Sequence, residues 1–396
     1  MKTVAWIVLA VGLLGALMLT YRKIQREELS EIKPPPSANG ASPLAARIRS
    51  LPVAPSSWKL IESAPPEMDL PEMPNTEPTI ADLIDRAGTR VVFECYFMKQ
   101  SFGSPVTKLF ERLKNDVYVM GVLHPNPMSD VTLLASLRGA GAQIVERDLA
   151  PLGGNPQEGY LHSKFVVVDG TAGYIGSANF GAAAMTENRE MGLYFEDVAL
   201  ANHLELMAQI DAGRLSVARA KALPSAVMLQ GAADGFLIEQ MPRCDEGIAA
   251  LCDMARKEID VMVFAFSHQF GRYDAIASPL RAAVRRGVKV RILHDARTVK
   301  DLPGVGPTLR DLKEWGMEIR LADLSRLGRS AAGQYHCKAM RVDGEFLMIG
   351  SNNWTDAASN ENREVAVIIR SPRLVDQFIS RFKADWNVPK HVKPYY

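Results

Sequence analysis

The chain has only four cysteines among its 396 residues: Cys95, Cys244, Cys252 and Cys337. None forms a CxxC pair, which argues against a structural zinc site. They read as buried free thiols, with a Cys244–Cys252 disulfide as the alternative in an oxidising compartment. Charge of one sign is also missing. Lys and Arg number 46 against 45 Asp and Glu, for a net charge of +1. No overall pull toward nucleic acid follows, although a local basic groove is compatible with that balance. With 47% hydrophobic and 23% charged residues, the composition is that of a globular protein with a core. The length allows two or three domains.

What is present begins with an apolar run from Thr3 to Tyr21, preceded by Lys2 and followed by Arg22, Lys23 and Arg26. At about 18 residues it is close to the length that spans a bilayer as a helix. A cleaved signal peptide is the alternative. The end of the run lacks a small-x-small cleavage pattern, so residues 1–23 are expected to be an uncleaved, single-pass membrane anchor. The side of the membrane occupied by the body stays open. Residues 24–78 are rich in Pro, Ser and Ala and are expected to be a semi-extended tether, part of which Trp58, Leu60 and Ile61 could dock on the body.

The rest of the chain reads twice. A helical pattern from Thr79 leads into a strand-like run at Arg90, and a second from Gly247 leads into one at Asp260. Runs Val117–His124 and Val288–His294 follow, then a helix candidate and another strand in each copy. Helices alternating with short β-branched runs indicate the α/β class. We therefore expect two α/β sandwich lobes, residues 79–222 and 223–396, facing each other across a pseudo-twofold axis with a shared site on it. The joint is placed near 223–240, after a helix over roughly 199–222.

The repeat is sharpest at two motifs. His162, Lys164 and Asp169 are followed by Gly176, Ser177 and Asn179. His336, Lys338 and Asp343 are followed by Gly350, Ser351 and Asn353 at the same spacings. Each set ends in Asn-Arg-Glu, at Asn188, Arg189 and Glu190 and at Asn362, Arg363 and Glu364. His and Lys two apart in an extended run share a face, and Asp169-Gly170 and Asp343-Gly344 are hairpin turn signals. The set suits a phosphodiester. Two lysines and two asparagines can hold its oxygens. One imidazole can attack phosphorus while the other protonates the leaving oxygen. Glu190 and Glu364 can orient the rings. No metal or other cofactor is expected, because the lysines supply the positive charge.

The paired HxKxxxxD motifs, each followed by GSxN and NxE, resemble the phospholipase D superfamily over about Thr79 to Trp386. The resemblance implies two α/β lobes with one site between them and a phosphohistidine intermediate released by water or an alcohol. It implies that His162 and His336 are nucleophile and general acid, with His162 the nucleophile. Lys164, Lys338, Asn179 and Asn353 match phosphate-binding positions, with Ser177 and Ser351 supporting them. Glu190 and Glu364 match the positions that orient histidine, and Asp169 and Asp343 match the motif aspartates, counted with the catalytic set. The residues after Asn179 and Asn353 depart from the Asp-x-Arg-Ser element of cardiolipin synthases.

The leading reading is a membrane-anchored phosphodiesterase that hydrolyses or transfers a phospholipid headgroup. The alternatives are a metal-independent endonuclease, a cardiolipin synthase-like phosphatidyltransferase, or a scaffold without activity. Other residues stay secondary. Tyr160 and Tyr335 precede the motif histidines and either border the substrate or are buried. His124 and His294 end equivalent strands and are expected to be structural. Arg281, Arg285, Arg286, Lys289 and Arg291 read as a solvated helix end. The loop 322–334 is expected near the site, and Phe102, Phe270 and Trp354 touch either lipid or core. The oligomeric state is not legible.

Overall fold

Alternating β-branched runs and amphipathic helices form the expected α/β units. The computed structural model describes residues 42–68, 74–149, 159–216, 223–232, 236–267, 275–327, 333–388 and 390–396. The expected anchor, the first part of the tether and Phe270 lie outside these residues. Among the described residues no helix is long and apolar enough to cross a membrane.

After helix α1 (Pro43–Arg49), the first repeat runs β1 (Lys59–Ser63), α2 (Thr76–Asp85), β2 (Arg90–Cys95), α3 (Ser104–Lys114), β3 (Tyr118–Leu123), α4 (Val131–Gly139) and β4 (Gln143–Glu146). The hairpin β5 (Phe165–Val168) and β6 (Ala172–Gly176), then β7 (Glu190–Glu196) and α5 (Val198–Asp211), complete it. The second repeat runs β8 (Val227–Gly231), α6 (Cys244–Met254), β9 (Glu258–Val263), α7 (Ala277–Arg285), β10 (Lys289–Asp295), α8 (Val305–Glu314) and β11 (Glu318–Ala322). It closes with β12 (Lys338–Val342), β13 (Phe346–Gly350), β14 (Glu364–Arg370), α9 (Pro372–Trp386) and β15 (Val392–Pro394).

The sheets have the orders β1-β7-β6-β5-β2-β3-β4 and β15-β11-β10-β9-β12-β13-β14-β8. Apart from β15 they are the same sheet twice. Each has a parallel β-α-β half and an antiparallel half that carries the motifs. Residues 44–396 form one compact unit. The inner faces of both sheets, with Phe165, Ile175, Leu193, Ile349 and Val367, share one apolar core, which α5 and α9 join through Leu204 and Phe378. Helices α2 to α4 pack on the outer face of the first sheet and α6 to α8 on that of the second.

Two expectations need correction. The segment 24–78 is not a tether over its described part. Trp58 is fully buried, and Lys59–Ser63 pairs antiparallel with β7, so the first repeat begins before residue 79. Strand β1 is the counterpart of β8. Its Trp58, Leu60 and Ile61 bury enough apolar surface to outweigh the prolines around them. The helix expected to reach residue 222 stops at Asp211, where Gly213 adopts φ +70, a conformation that ends helices.

All four cysteines are free and buried. The basic cluster is absorbed locally: Arg281 pairs with Asp311, Lys289 with Glu318 and Arg291 with Asp260, while Arg285 lies over the Trp315 ring. Phe102 stacks on Phe180 and Trp354 packs edge-on against Phe266, so both are core residues. In the described part of 322–334, Leu324 and Leu327 are buried.

Candidate active site

Each motif histidine sits just before the first hairpin strand of its repeat, where it pairs with the opposite repeat. His162 N donates to Arg363 O at 2.9 Å and His336 N donates to Arg189 O at 2.9 Å. The Asn of each Asn-Arg-Glu clamps the same junction. Asn362 Oδ1 accepts from Tyr160 N and Asn188 Oδ1 accepts from Gln334 N, both at 3.0 Å. The side chains cross as well. His162 Nδ1 lies 2.7 Å from Glu364 Oε1, and His336 Nδ1 lies 3.0 Å from both Glu190 oxygens. Each glutamate is held by the serine of its own repeat, Ser177 to Glu190 at 2.6 Å and Ser351 to Glu364 at 2.5 Å. The carboxylate that meets each imidazole therefore comes from the other half, so the two pairs form only when the halves are together.

The glycine of each Gly-Ser-x-Asn has a steric reason. A Cβ at Gly350 would strike the Val365 carbonyl oxygen, and one at Gly176 would come within 2.7 Å of Gly192 Cα. Only glycine lets the serine approach the glutamate strand this closely.

The histidine side chains retain 12% and 6% exposure, for His162 and His336, enough for a ligand to reach them. The lysines beside them are buried, and each donates to the carbonyl of its own histidine, Lys164 at 2.5 Å and Lys338 at 2.7 Å. Burial pushes Lys164 down to about 8 and Lys338 to about 7, with Glu190 and Glu364 opposing. Burial also pushes His336 down to about 4, against the pull of Glu190. His162 falls well below its ordinary value through burial and the charges of Lys164 and Lys338. Glu364 is pushed up to about 8 by burial, with Lys164 opposing. The charges of both lysines lower each histidine, so the four groups share one electrostatic environment. Asn179 and Asn353 are half-buried, each with a buried Oδ1 that has no partner among the described residues.

Two residues expected in the catalytic set are elsewhere. Asp169 and Asp343 lie at the far ends of their hairpin strands, about 16 Å of extended chain from the lysines. Asp169 accepts from Gly88 N, Thr89 N, Thr89 Oγ1 and Arg90 N at 2.7–2.9 Å. Asp343 accepts from Arg256 N, Lys257 N and Glu258 N at 2.8–3.1 Å. Both adopt positive φ in the turn. Their role is to lock the hairpin onto the start of β2 or β9.

Burial opposes ionisation of Asp169, yet its donors hold the carboxyl down at about 2. A depressed carboxyl stabilises the fold above the unfolded value near 3.9 and loses that contribution as pH falls toward about 2. Asp169→Asn is expected to lower stability by about 1–2 kcal/mol in denaturant titration while changing kcat by less than about threefold.

Behind the glutamates lie residues that the sequence presented only as motif letters. Arg189 is fully buried and pairs with Glu62 at 2.7 Å and with Asp385 of the other repeat at 3.0 Å; Tyr335 also donates to Asp385, at 2.7 Å. Arg363 is equally buried and pairs with Asp211 of the other repeat at 2.8 Å. The two arginines are thus crossed ties between the halves. The only sequence signal for them was the repetition of Asn-Arg-Glu.

A family model described as "Cardiolipin synthase, PLD-like domain" matches residues 80–210 and 248–386. The chain belongs to the phospholipase D-like family. Among curated proteins it is 28% identical over 315 residues to the rat protein named 5'-3' exonuclease PLD3, covering 68% of this chain and 63% of that one. It is 31% identical over 134 residues to the human mitochondrial cardiolipin hydrolase, covering 33% of this chain and 46% of that one. The chain spans about half to just under two thirds of the length of such relatives. Among solved structures, the phosphatidylserine synthase of Haemophilus influenzae superposes with a TM-score of 0.65 at 13% identity, covering 89% of this chain and 91% of that one. That likeness is one of fold.

Proposed function

We propose that the protein is a phosphodiesterase of the phospholipase D type that hydrolyses or transfers a phospholipid headgroup through a phosphohistidine. The observation that carries this is the crossed pair of imidazole–carboxylate contacts, His162 with Glu364 and His336 with Glu190, together with the influence of both lysines on each imidazole. In this reading Lys164, Lys338, Asn179 and Asn353 hold the phosphate oxygens. His162 attacks phosphorus through its free ring nitrogen, and His336 gives its proton to the leaving oxygen. His336 then takes a proton from water or an alcohol, which displaces the phosphohistidine. Glu190 and Glu364 orient the rings, and the lysine charge does the electrostatic work, so turnover is expected to persist in EDTA. The apolar run at 3–21 supports a membrane-tethered reading, in which the anchor raises the local lipid concentration.

The direct test is incubation with phosphatidylcholine, phosphatidylethanolamine and phosphatidylglycerol, with and without an added alcohol. Phosphatidic acid or an exchanged lipid is expected; absence of both contradicts the lipid reading. The match to proteins named 5'-3' exonuclease, over two thirds of this chain, favours nucleic acid as the second reading. That reading predicts cleavage of oligonucleotides with steep salt dependence.

The pocket sets a pH profile. In the free protein, His336 becomes neutral above about pH 4, and the lysines begin to lose charge at about 7 and 8. His336 therefore takes up its catalytic proton when a phosphate anion binds, and we expect kcat/KM to fall above about pH 7, where the lysine charges that hold the anion are lost. The alkaline limb of kcat should lie higher, because bound phosphate stabilises the charged lysines. A kcat/KM maximum above pH 9 contradicts this.

A further inference from the structure

The pseudo-twofold is broken beside the histidines. By strand register and motif spacing, Tyr96 corresponds to Phe264, His124 to Asp295 and Tyr160 to Gln334. On the second-repeat side the groups are committed to the fold. Phe264 packs on His336 with centroids 4.8 Å apart. The carboxylate of Asp295 accepts from Tyr335 N, Arg297 N and Thr298 N. His294 is buried and accepts from Phe266 N at 3.0 Å.

The first-repeat side is different. Tyr96 lies against His162 at 5.4 Å, His124 stacks on Tyr96 at 5.3 Å and 19°, and Tyr160 meets both edge-on at 5.6 and 5.0 Å. Tyr160 is 36% exposed. His124 is 92% buried, and its Nδ1 has no partner among the described residues. It was expected to be structural, like His294. Instead it stands one ring away from a catalytic imidazole with an unpaired polar atom, a costly arrangement unless a ligand completes it.

We propose that Tyr96, His124 and Tyr160 form the subsite for an uncharged, hydroxyl-bearing substituent of the phosphodiester, with His124 Nδ1 hydrogen-bonding one of its hydroxyls. The inference rests on the phosphodiesterase reading and narrows its substrate. Two observations select that chemistry. Lys164 lies over the Tyr96 ring at 5.8 Å with Lys338 nearby, so a quaternary ammonium or amine headgroup meets repulsion. The rings of Tyr96 and His124 stack on each other, so those faces are not offered to a nucleobase. What remains is recognition by polar edges within an aromatic lining, which suits a polyol such as a glycerol headgroup. Burial holds the His124 imidazole below its ordinary value, which keeps it neutral and able to accept as well as donate.

The test uses the full chain in mixed micelles. The substrates are phosphatidylglycerol, phosphatidylcholine, a short oligonucleotide and bis(4-nitrophenyl) phosphate, the last as a reference diester without hydroxyls. The wild type is expected to prefer phosphatidylglycerol over phosphatidylcholine by about tenfold or more in kcat/KM. His124→Phe keeps the ring stack but removes Nδ1, and should cut the ratio of phosphatidylglycerol to reference rates by about tenfold. His124→Asn places an amide atom near the Nδ1 position and should restore that ratio to within about threefold, which also controls for misfolding.

An unchanged ratio in His124→Phe, or a preference for phosphatidylcholine, overturns the subsite while leaving the phosphodiesterase reading intact. A ratio change confined to the oligonucleotide transfers the subsite to a sugar and overturns the lipid assignment. A wild type inert toward all four substrates overturns both.

Discussion

His162→Ala and His336→Ala are each expected to lower kcat/KM on a phosphodiester whose leaving group needs protonation by at least on the order of 10⁴-fold, with circular dichroism and melting behaviour close to wild type. The side chains end in a ligand-accessible pocket, and their junctions are held by backbone bonds that alanine keeps, His162 N to Arg363 O and His336 N to Arg189 O. The two variants should differ with bis(4-nitrophenyl) phosphate, whose leaving group needs little protonation. If His162 is the nucleophile, His336→Ala still gives a burst of nitrophenolate and a protein heavier by one phosphoryl ester, because attack proceeds and release stalls. His162→Ala gives no burst. The reverse pattern moves the nucleophile to His336, and a burst from neither contradicts a covalent route.

The largest effect on stability is expected from Arg363→Met. Arg363 is the positive charge beside Asp211. Glu94 lies within the same field, itself pushed well above the ordinary carboxyl value by burial and by Asp211. Removing the guanidinium leaves Asp211 buried without its counter-charge, which costs about 3–5 kcal/mol. It also loosens the strand that carries Glu364. The variant should therefore lose both stability in denaturant titration and turnover. Arg90, 37% exposed and paired with Glu205, gives the contrast: Arg90→Met is expected to cost no more than about 1 kcal/mol. Equal costs for the two variants would contradict the crossed tie.

The repeat, the class of fold and the candidate residues of the site were legible because each motif residue occurs twice at matched spacing. Neither packing nor solvation demands such a coincidence. The crossing was not legible. Spacing alone fits His162 with Glu190 as well as His162 with Glu364, and only the way the halves join decides between them. Strand β1 was hidden because the prolines and serines on either side of it resemble a linker, whereas Trp58, Leu60 and Ile61 gain a partner only once β7 exists. Asp169 and Asp343 were grouped with the catalytic residues because the motif presents them in one run, although five residues of extended chain carry them away from the pocket. His124 and His294 looked alike as strand-end histidines. Strand register separates them by one position, which sends one into the fold and the other to the wall of the pocket.

The claim that everything turns on is that one phosphorus is gripped from both repeats at once. A crystal structure of the protein soaked with orthovanadate addresses this directly. The account predicts a single vanadium per chain on the pseudo-twofold, bonded to or in line with the Nε2 atoms of both His162 and His336, with Lys164, Lys338, Asn179 and Asn353 on its equatorial oxygens. Two separate anions, one per histidine, or a vanadium held by one repeat alone, would contradict it.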